Sequence, residues 1–307
     1  MWHSKLIDWL VYFAVRVFIC LAQSISLKTC TRLANALAWF AHDLFHLRHK
    51  VVDDNLHGVF KQLSRAERDE IARQMWRHLF LMIFEVANAP RKIHRTNWRN
   101  HFTVKNNRAL MELMLGARPI VMVSGHFGNF EMASFMAGLL GFPSYTIARP
   151  LDNPYLDRYV NSFRGMHGQF IVTKQGSSGQ LNRILSEGGK IAMLGDQAAG
   201  PRGCWVDFLG RPASCHKAVS LFTLTSGAPL LVCYTRRRQH PLDFELGLVA
   251  AADPEVDDDL CQSVRSLTSW YNAMLEGIIR EYPSQYWWVH RRWKGQPRQR
   301  RRLAQAG

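Results

Sequence analysis

His126 and Glu131 are the two residues best suited to acid–base chemistry, and they share one short string, Ser124-Gly125-His126-Phe127-Gly128-Asn129-Phe130-Glu131. A carboxylate that accepts from one imidazole nitrogen fixes the tautomer and leaves the other nitrogen as a base. Such a base can deprotonate an alcohol for attack on an acyl carbonyl. Residues five apart on a continuous helix point about 140° away from each other. His126 and Glu131 therefore meet only if His126 precedes a helix and Glu131 lies in its first turn, with Gly128-Asn129 as the start. Gly125 and Gly128 let the backbone turn tightly and approach a ligand. Asn129 and the amides after His126 are candidates for oxyanion contacts, which typically stabilise such a transition state by about 3 kcal/mol. The sequence contains no Gly-x-Ser-x-Gly elbow and no P-loop, which favours direct acyl transfer over a covalent acyl-enzyme.

These residues need a scaffold, and the hydrophobic pattern supplies one. Ser64 and Glu67 form a capping box for a helix over 64–90, with Ile71, Met75, Leu79, Met82 and Val86 at helical spacing and Pro90 ending the run. From Arg91 onward, apolar runs of strand length at 119–124, 144–148, 170–173, 190–194, 229–235 and 242–249 alternate with helical stretches near 129–140, 153–167, 177–187, 216–226 and 257–281. This alternation implies a mostly parallel sheet flanked by helices. In open α/β sheets, sites form beyond the carboxyl ends of the strands, and His126 follows such a strand directly. Met132, Phe135, Met136 and Leu139 read as core rather than as an acyl channel.

Four motifs then occur in order: the GHFGNFE string; Ala148-Arg149-Pro150-Leu151-Asp152-Asn153-Pro154 with Arg164; Gly195-Asp196-Gln197 leading to Trp205–Ala213; and Pro283-Ser284-Gln285-Tyr286-Trp287-Trp288-Val289-His290-Arg291-Arg292-Trp293-Lys294. Together they resemble the lipid A biosynthesis acyltransferase family, the late lauroyl and myristoyl transferases of Gram-negative endotoxin assembly. With the apolar N-terminus the resemblance covers essentially the whole chain. It implies a glycerolphosphate-acyltransferase-like α/β fold and an acyltransferase that moves a fatty acyl group from an acyl-carrier-protein thioester to a hydroxyl of a lipid A precursor.

It also implies roles for particular residues. His126 is the general base and Glu131 its partner in the family's His-x4-acid motif, while Arg149 and Arg164 match arginines that the family keeps close to the site. A guanidinium there can hold a phosphate or sugar of the acceptor bidentately, or neutralise charge on the pantetheine arm. Asp196 ends another buried strand on the same sheet edge, where it can orient His126 in place of Glu131 or fix the Arg149 side. The chain departs from the family pattern at Gln197-Ala198-Ala199, which lacks a second acidic residue. No cofactor or metal is expected beyond the thioester donor, and the implied partners are acyl-carrier protein, a glycolipid acceptor and an anionic membrane surface. The implied location is the cytoplasmic face of the inner membrane.

Composition agrees with this frame and excludes others. The 307 residues are 47% hydrophobic and 11% aromatic, which rules out a disordered chain. A mean hydropathy slightly below zero leaves no room for several membrane spans. Lys and Arg number 39 against 24 Asp and Glu, a net charge of +15 that calls for an anionic partner. No helix-turn-helix, zinc finger or RNP-like strand accompanies that charge, so nucleic acid is not expected. The six cysteines lack C-x-x-C spacing and read as free thiols. Residues 1–27 read as a membrane-attachment helix broken by Arg16, which can snorkel toward head groups. Residues 28–90 read as a helical region with a second apolar patch at 33–47. Residues 91–307 read as the α/β acyltransferase domain with a basic tail. The Trp287–Lys294 segment joins tryptophans with bases in a pattern suited to lying against lipid.

Overall fold

The computed structural model describes residues 2–173 and 177–295; the tail arginines Arg298, Arg300, Arg301 and Arg302 lie outside the described residues. The chain opens with α1 (Trp2–Ser24) and α2 (Leu27–Trp39), and Ser26 caps α2 by accepting from the Thr29 amide at 3.1 Å. A π-turn at Phe40–Leu44 leads through left-handed His46 and Arg48 into α3 (His49–Val59) and α4 (Arg65–Lys92). Both bonds of the Ser64–Glu67 capping box form. Pro90 does not end α4, which continues to Lys92. A proline removes only one amide donor and bends rather than breaks a helix already held by packing.

Then follow β1 (Phe102–Lys105), α5 (Asn107–Leu115), β2 (Ile120–Ser124), α6 (Phe130–Leu139), β3 (Ser144–Ala148), α7 (Pro154–Met166), β4 (Gln169–Thr173), α8 (Ser177–Ser186) and β5 (Lys190–Leu194). The chain closes with β6 (Cys204–Phe208), β7 (Arg211–Cys215), α9 (Ala218–Ser226), β8 (Leu230–Arg237), β9 (Phe244–Ala252) and α10 (Val264–Glu281). The expected alternation is present, with differences at its margins. β1 and the β6–β7 hairpin were not anticipated, because they are short and mix polar with apolar residues. α10 begins at Val264 rather than near 257, behind an N-cap at Ser263.

Seven strands form one sheet in the order β1-β9-β8-β2-β5-β3-β4, parallel throughout except for the antiparallel β8–β9 pair. Helices cover both faces because β2 and β8 are apolar on both sides. Val121 and Val123 join Leu181, Val219, Leu267, Tyr271 and Leu275 from α8, α9 and α10. Their neighbour Ile120, with Leu231, instead meets Leu110 and Met114 of α5. Met132, Phe135 and Met136 of α6 are core residues beside Ile93, Phe102 and Phe244, as their spacing suggests.

Lys5–Ser24 is the one stretch among the described residues long and apolar enough to cross a membrane, and 6% of it is buried. Leu6, Leu10, Phe13, Val17 and Leu21 are exposed along it, as are Leu33, Leu37, Phe40 and Phe45 beyond it. Arg16 does not reach outward. Its Nη1 donates to the Tyr12 hydroxyl at 3.0 Å, and its guanidinium lies 4.7 Å from the centroid of the Tyr159 ring on α7.

The cap on α4 gives a local test of the packing argument. Ser64→Ala removes the acceptor for one orphan amide and should lower stability by about 1 kcal/mol, read as a lower unfolding midpoint with unchanged far-ultraviolet helicity.

Candidate active site

Strand register builds the site. Parallel pairing sets Ser124 against Leu194, so the chains leaving β2 and β5 run side by side past the sheet edge. The Gly195 amide donates to the Ser124 carbonyl at 2.8 Å and extends that pairing by one step. The next residues are His126 and Asp196. His126 Nδ1 donates to Asp196 Oδ1 at 2.7 Å, and the His126 backbone amide donates to Oδ2 at 2.8 Å. Gly125 makes room for this: a Cβ there would stand 3.2 Å from Asp196 Oδ2. Gly128 has φ +56, and a Cβ on it would fall 1.8 Å from the Thr235 carbonyl oxygen, so only glycine fits the turn.

Asp196 is 3% exposed, and burial by itself would push its carboxyl up. The charge of His126, the two hydrogen bonds from that residue and the charge of Arg292 outweigh burial and hold it at about 2. Because this lies below its ordinary 3.8, the ionised carboxylate stabilises the fold above that pH, and the contribution is lost as pH falls toward 2. Tyr286 is buried beside it, and burial, with the charge of Asp196, pushes its phenol well above the usual range. For His126, burial lowers the imidazole, but the charge and hydrogen bond of Asp196, aided by the charge of Glu131, raise it above 6.5 overall. With Nδ1 donating to Asp196, Nε2 carries the lone pair. The Gln197 side-chain amide sits 3.1 Å from Nε2, placed to donate to it.

The Trp287–Lys294 segment, expected against lipid, instead packs on the site. Trp287 lies over the imidazole with ring centroids 4.9 Å apart, and its amide donates to the His126 carbonyl at 3.1 Å. Its indole Nε1 is buried with no hydrogen-bond partner. Trp288 is fully buried, and Arg292, 1% exposed, donates to the Ser214 carbonyl at 2.7 Å and to Cys215 Sγ at 2.8 Å. Three tryptophans among bases can look interfacial in sequence. Here the cation is buried because backbone oxygen, thiol and Asp196 compensate it.

Other sequence-derived candidates fall differently. Glu131 makes no hydrogen bond to His126; its carboxylate is held by Arg164, Nη2 to Oε1 at 2.5 Å and Nε to Oε2 at 3.3 Å. The fork ties the first turn of α6 to α7, and Glu131 acts on His126 through charge alone. Asn129 does not face an incoming carbonyl. It is fully buried, its Nδ2 donates to Glu85 Oε2 at 2.9 Å, and its amide donates to Thr235. The Gly128 amide is likewise committed, to the Gln285 carbonyl at 2.8 Å. Arg149 stands exposed beyond β3, two strands from β2, paired with Asp152 at 2.9 Å. Among the described residues, no group of three or more His, Cys, Asp or Glu side chains can hold a metal ion.

Behind the His126 loop lies a network that the sequence reading passed over. Glu85 on α4, 0% exposed, receives Arg237 through Nε at 2.5 Å and Nη2 at 2.6 Å. Arg237 Nη1 donates to His78 Nδ1 at 2.7 Å, and His78 Nε2 donates to the Gly128 carbonyl at 3.1 Å. Burial, then the charge of Arg237, keeps His78 neutral well below the usual imidazole range. A signal was present: Ile71, Met75, His78, Met82, Glu85 and Ala89 follow one helical stripe, so two polar residues interrupt an apolar face.

The chain is similar over nearly its whole length to a family described as bacterial lipid A biosynthesis acyltransferase, which matches residues 2–295. Among curated proteins it is 24% identical over 296 residues to the lipid A biosynthesis lauroyltransferase of Escherichia coli (strain K12), covering 94% of this chain and 92% of that protein. The palmitoleoyltransferase of the same organism is 22% identical over 294 residues, with 94% and 92% covered. A lipid A biosynthesis acyltransferase of Haemophilus influenzae is 22% identical over 306 residues, with 94% and 91% covered. Among solved structures, the 1-acyl-sn-glycerophosphate acyltransferase PlsC of Thermotoga maritima aligns with a TM-score of 0.40 at 14% identity, covering 85% of this chain and all of that one.

The Glu85–Arg237 pair predicts a clear stability pattern. Glu85→Gln leaves a buried guanidinium without its counter-charge and should cost about 3–5 kcal/mol, whereas replacing both residues by methionine should cost less than that single change. Denaturant midpoints of the single and double variants measure the difference.

Proposed function

Because the chain belongs to the bacterial lipid A biosynthesis acyltransferase family, we propose that it moves a fatty acyl group from an acyl-carrier-protein thioester to a hydroxyl of a lipid A precursor, with His126 as the general base. The observation that carries the mechanism is the His126–Asp196 pair at the carboxyl edge of the sheet, with Nδ1 bound and Nε2 turned away from Asp196. The acceptor hydroxyl displaces the Gln197 amide and gives its proton to Nε2. Its oxygen attacks the thioester carbonyl carbon, and negative charge gathers on the carbonyl oxygen. The tetrahedral intermediate collapses, the carbon–sulfur bond breaks, and the leaving thiolate takes the proton back from the imidazolium. The products are an ester and a free thiol, and Asp196 stays ionised throughout. With the Gly128 and Asn129 amides engaged elsewhere, the displaced Gln197 amide and the unpartnered Trp287 Nε1–H are the donors at hand for the oxyanion.

The exposed apolar side of α1 attaches the enzyme to the inner membrane, and the catalytic domain lies on its cytoplasmic face, where a lipid-anchored acceptor and a carrier-borne donor can meet. The net charge of +15 suits both an anionic leaflet and an acidic carrier protein. Arg149, exposed on the carboxyl edge, is positioned to contact a docked substrate or carrier rather than the reacting atoms.

Transfer from labelled acyl-carrier protein, with acyl-coenzyme A in parallel, to a tetraacylated lipid A precursor should yield product with the wild type and none with His126→Ala. A folded wild type that gives no product would overturn the lipid A acceptor. The base must be neutral to act, so the rate should rise with pH along a limb centred above 6.5. Asp196→Asn removes the charge that raises the imidazole and leaves the burial that lowers it. That limb should therefore move to lower pH while kcat falls by roughly 10³–10⁴.

A further inference from the structure

Strand register also sets two thiols face to face. Cys204 opens β6 and Cys215 closes β7, and the antiparallel pairing makes them direct partners at the open end of the hairpin. They pack together with Val206, and both thiols are free. Opposed residues of an antiparallel pair share one face, so an approach of about 1 Å between their Cβ atoms reaches disulfide geometry. The two chains already run close at this end. A Cβ on Gly203 would stand 2.0 Å from Ser214 Oγ and 2.9 Å from the Cys215 carbonyl oxygen. The pair also lies at the far end from the Leu209-Gly210 turn, where a strand end can adjust most easily.

Cys215 is part of the support of the candidate site. Its Sγ accepts from Arg292 Nη2 at 2.8 Å and donates to Asn272 Oδ1 at 3.6 Å. Burial pushes the Cys215 thiol up, and the neighbouring Arg292 offsets this only in part, so the resting sulfur keeps its proton. Arg292 in turn lends its charge to Asp196. Its anchorage is sparse: Nη1 donates to the Ser214 carbonyl at 2.7 Å, Nη2 to the thiol, and Nε is buried with no hydrogen-bond partner. A covalent bond at Cys215 Sγ would take away the proton given to Asn272 and re-aim the sulfur that receives Arg292.

We propose that Cys204 and Cys215 form a redox modification site, in which a peroxide closes a cross-strand disulfide that loosens Arg292 from its place behind the His126–Asp196 pair. Cys204 is 8% exposed and Cys215 is 0% exposed, so peroxide meets Cys204 first. The O–O bond breaks, the Cys204 sulfur takes one oxygen as a sulfenic acid, and water leaves. Cys215 Sγ, its thiolate favoured by Arg292, attacks that sulfur. The S–O bond breaks, and the departing hydroxide carries off the Cys215 proton as a second water. Both sulfurs are oxidised by one electron and the peroxide is reduced by two. The bridge itself is independent of any acceptor; its effect on turnover rests on the reading of His126 as the base.

The full chain, purified reduced in detergent, would be treated with hydrogen peroxide, blocked with iodoacetamide and digested with trypsin. Cleavage after Arg202 and Lys217, and not before Pro212, leaves both cysteines in one peptide. That peptide should have lost two hydrogens and carry no alkyl group, and dithiothreitol should reverse both changes. The low-field nuclear magnetic resonance signal of the His126 Nδ1 proton, assigned by its absence in His126→Ala, should shift on oxidation. Acyl transfer should fall by about 10²-fold and recover on reduction. Cys204→Ser, which keeps the Cys215–Arg292 contact, should match the wild type before oxidation and show no change after it. Alkylation of both cysteines after peroxide, or a sulfinic acid at Cys204 in place of the bridge, would overturn the modification site. A bridge that leaves the His126 signal unmoved would overturn its link to the site. If the bridge forms and the signal moves while the reduced protein transfers nothing, the acceptor reading fails and this one stands.

Discussion

A buried, ionised carboxylate is the constraint around which the site is organised. Asp196 is almost wholly removed from water, and a lone charge there would be prohibitively unstable. It is tolerated because groups from distant parts of the chain converge on it: the imidazole and amide of His126 and the charge of Arg292. Each is then held in turn. Arg292 is fixed by the β7 carbonyl of Ser214 and the Cys215 sulfur, and the His126 ring lies against Trp287 and Phe130. The geometry of the His126–Asp196 pair and the local stability therefore have the same source, since any group that leaves Asp196 also exposes an unpaired charge.

The sheet and its helices were legible because their signal is local. Apolar runs of five or so residues, punctuated by Gly, Pro and capping residues, mark β2 to β5 and the helices between them. The choice of partner for His126 was not local. Glu131 is five residues away in sequence, but α6 turns it toward Arg164 on α7. Asp196 lies seventy residues away and reaches the imidazole only through the parallel register of β2 and β5. Sequence distance favoured one acid, and strand pairing delivers the other. Asn129 misled for a related reason: its position beside His126 suggested the reaction face, whereas the left-handed turn at Gly128 directs it inward to Glu85.

The second buried ion pair acts as a backing plate. Glu85 and Arg237 join α4 to the end of β8, and His78 and Asn129 extend that junction to both sides of Gly128. The helical N-terminal region is thus part of the support for the His126 loop, beyond supplying an apolar surface.

The segment from Tyr282 to Trp293 has a consequence for how the enzyme comes into being. It supplies Tyr286, Trp287 and Arg292, which stand around the His126–Asp196 pair, yet it is made about 260 residues after α1 is made. At translation rates of about 5–20 residues per second, that interval is on the order of tens of seconds. During it, the apolar α1 is already available to a bilayer while the half-built site still lacks its last wall and a compensating cation. The order of synthesis therefore completes the exposed apolar helix long before the last wall of the candidate site.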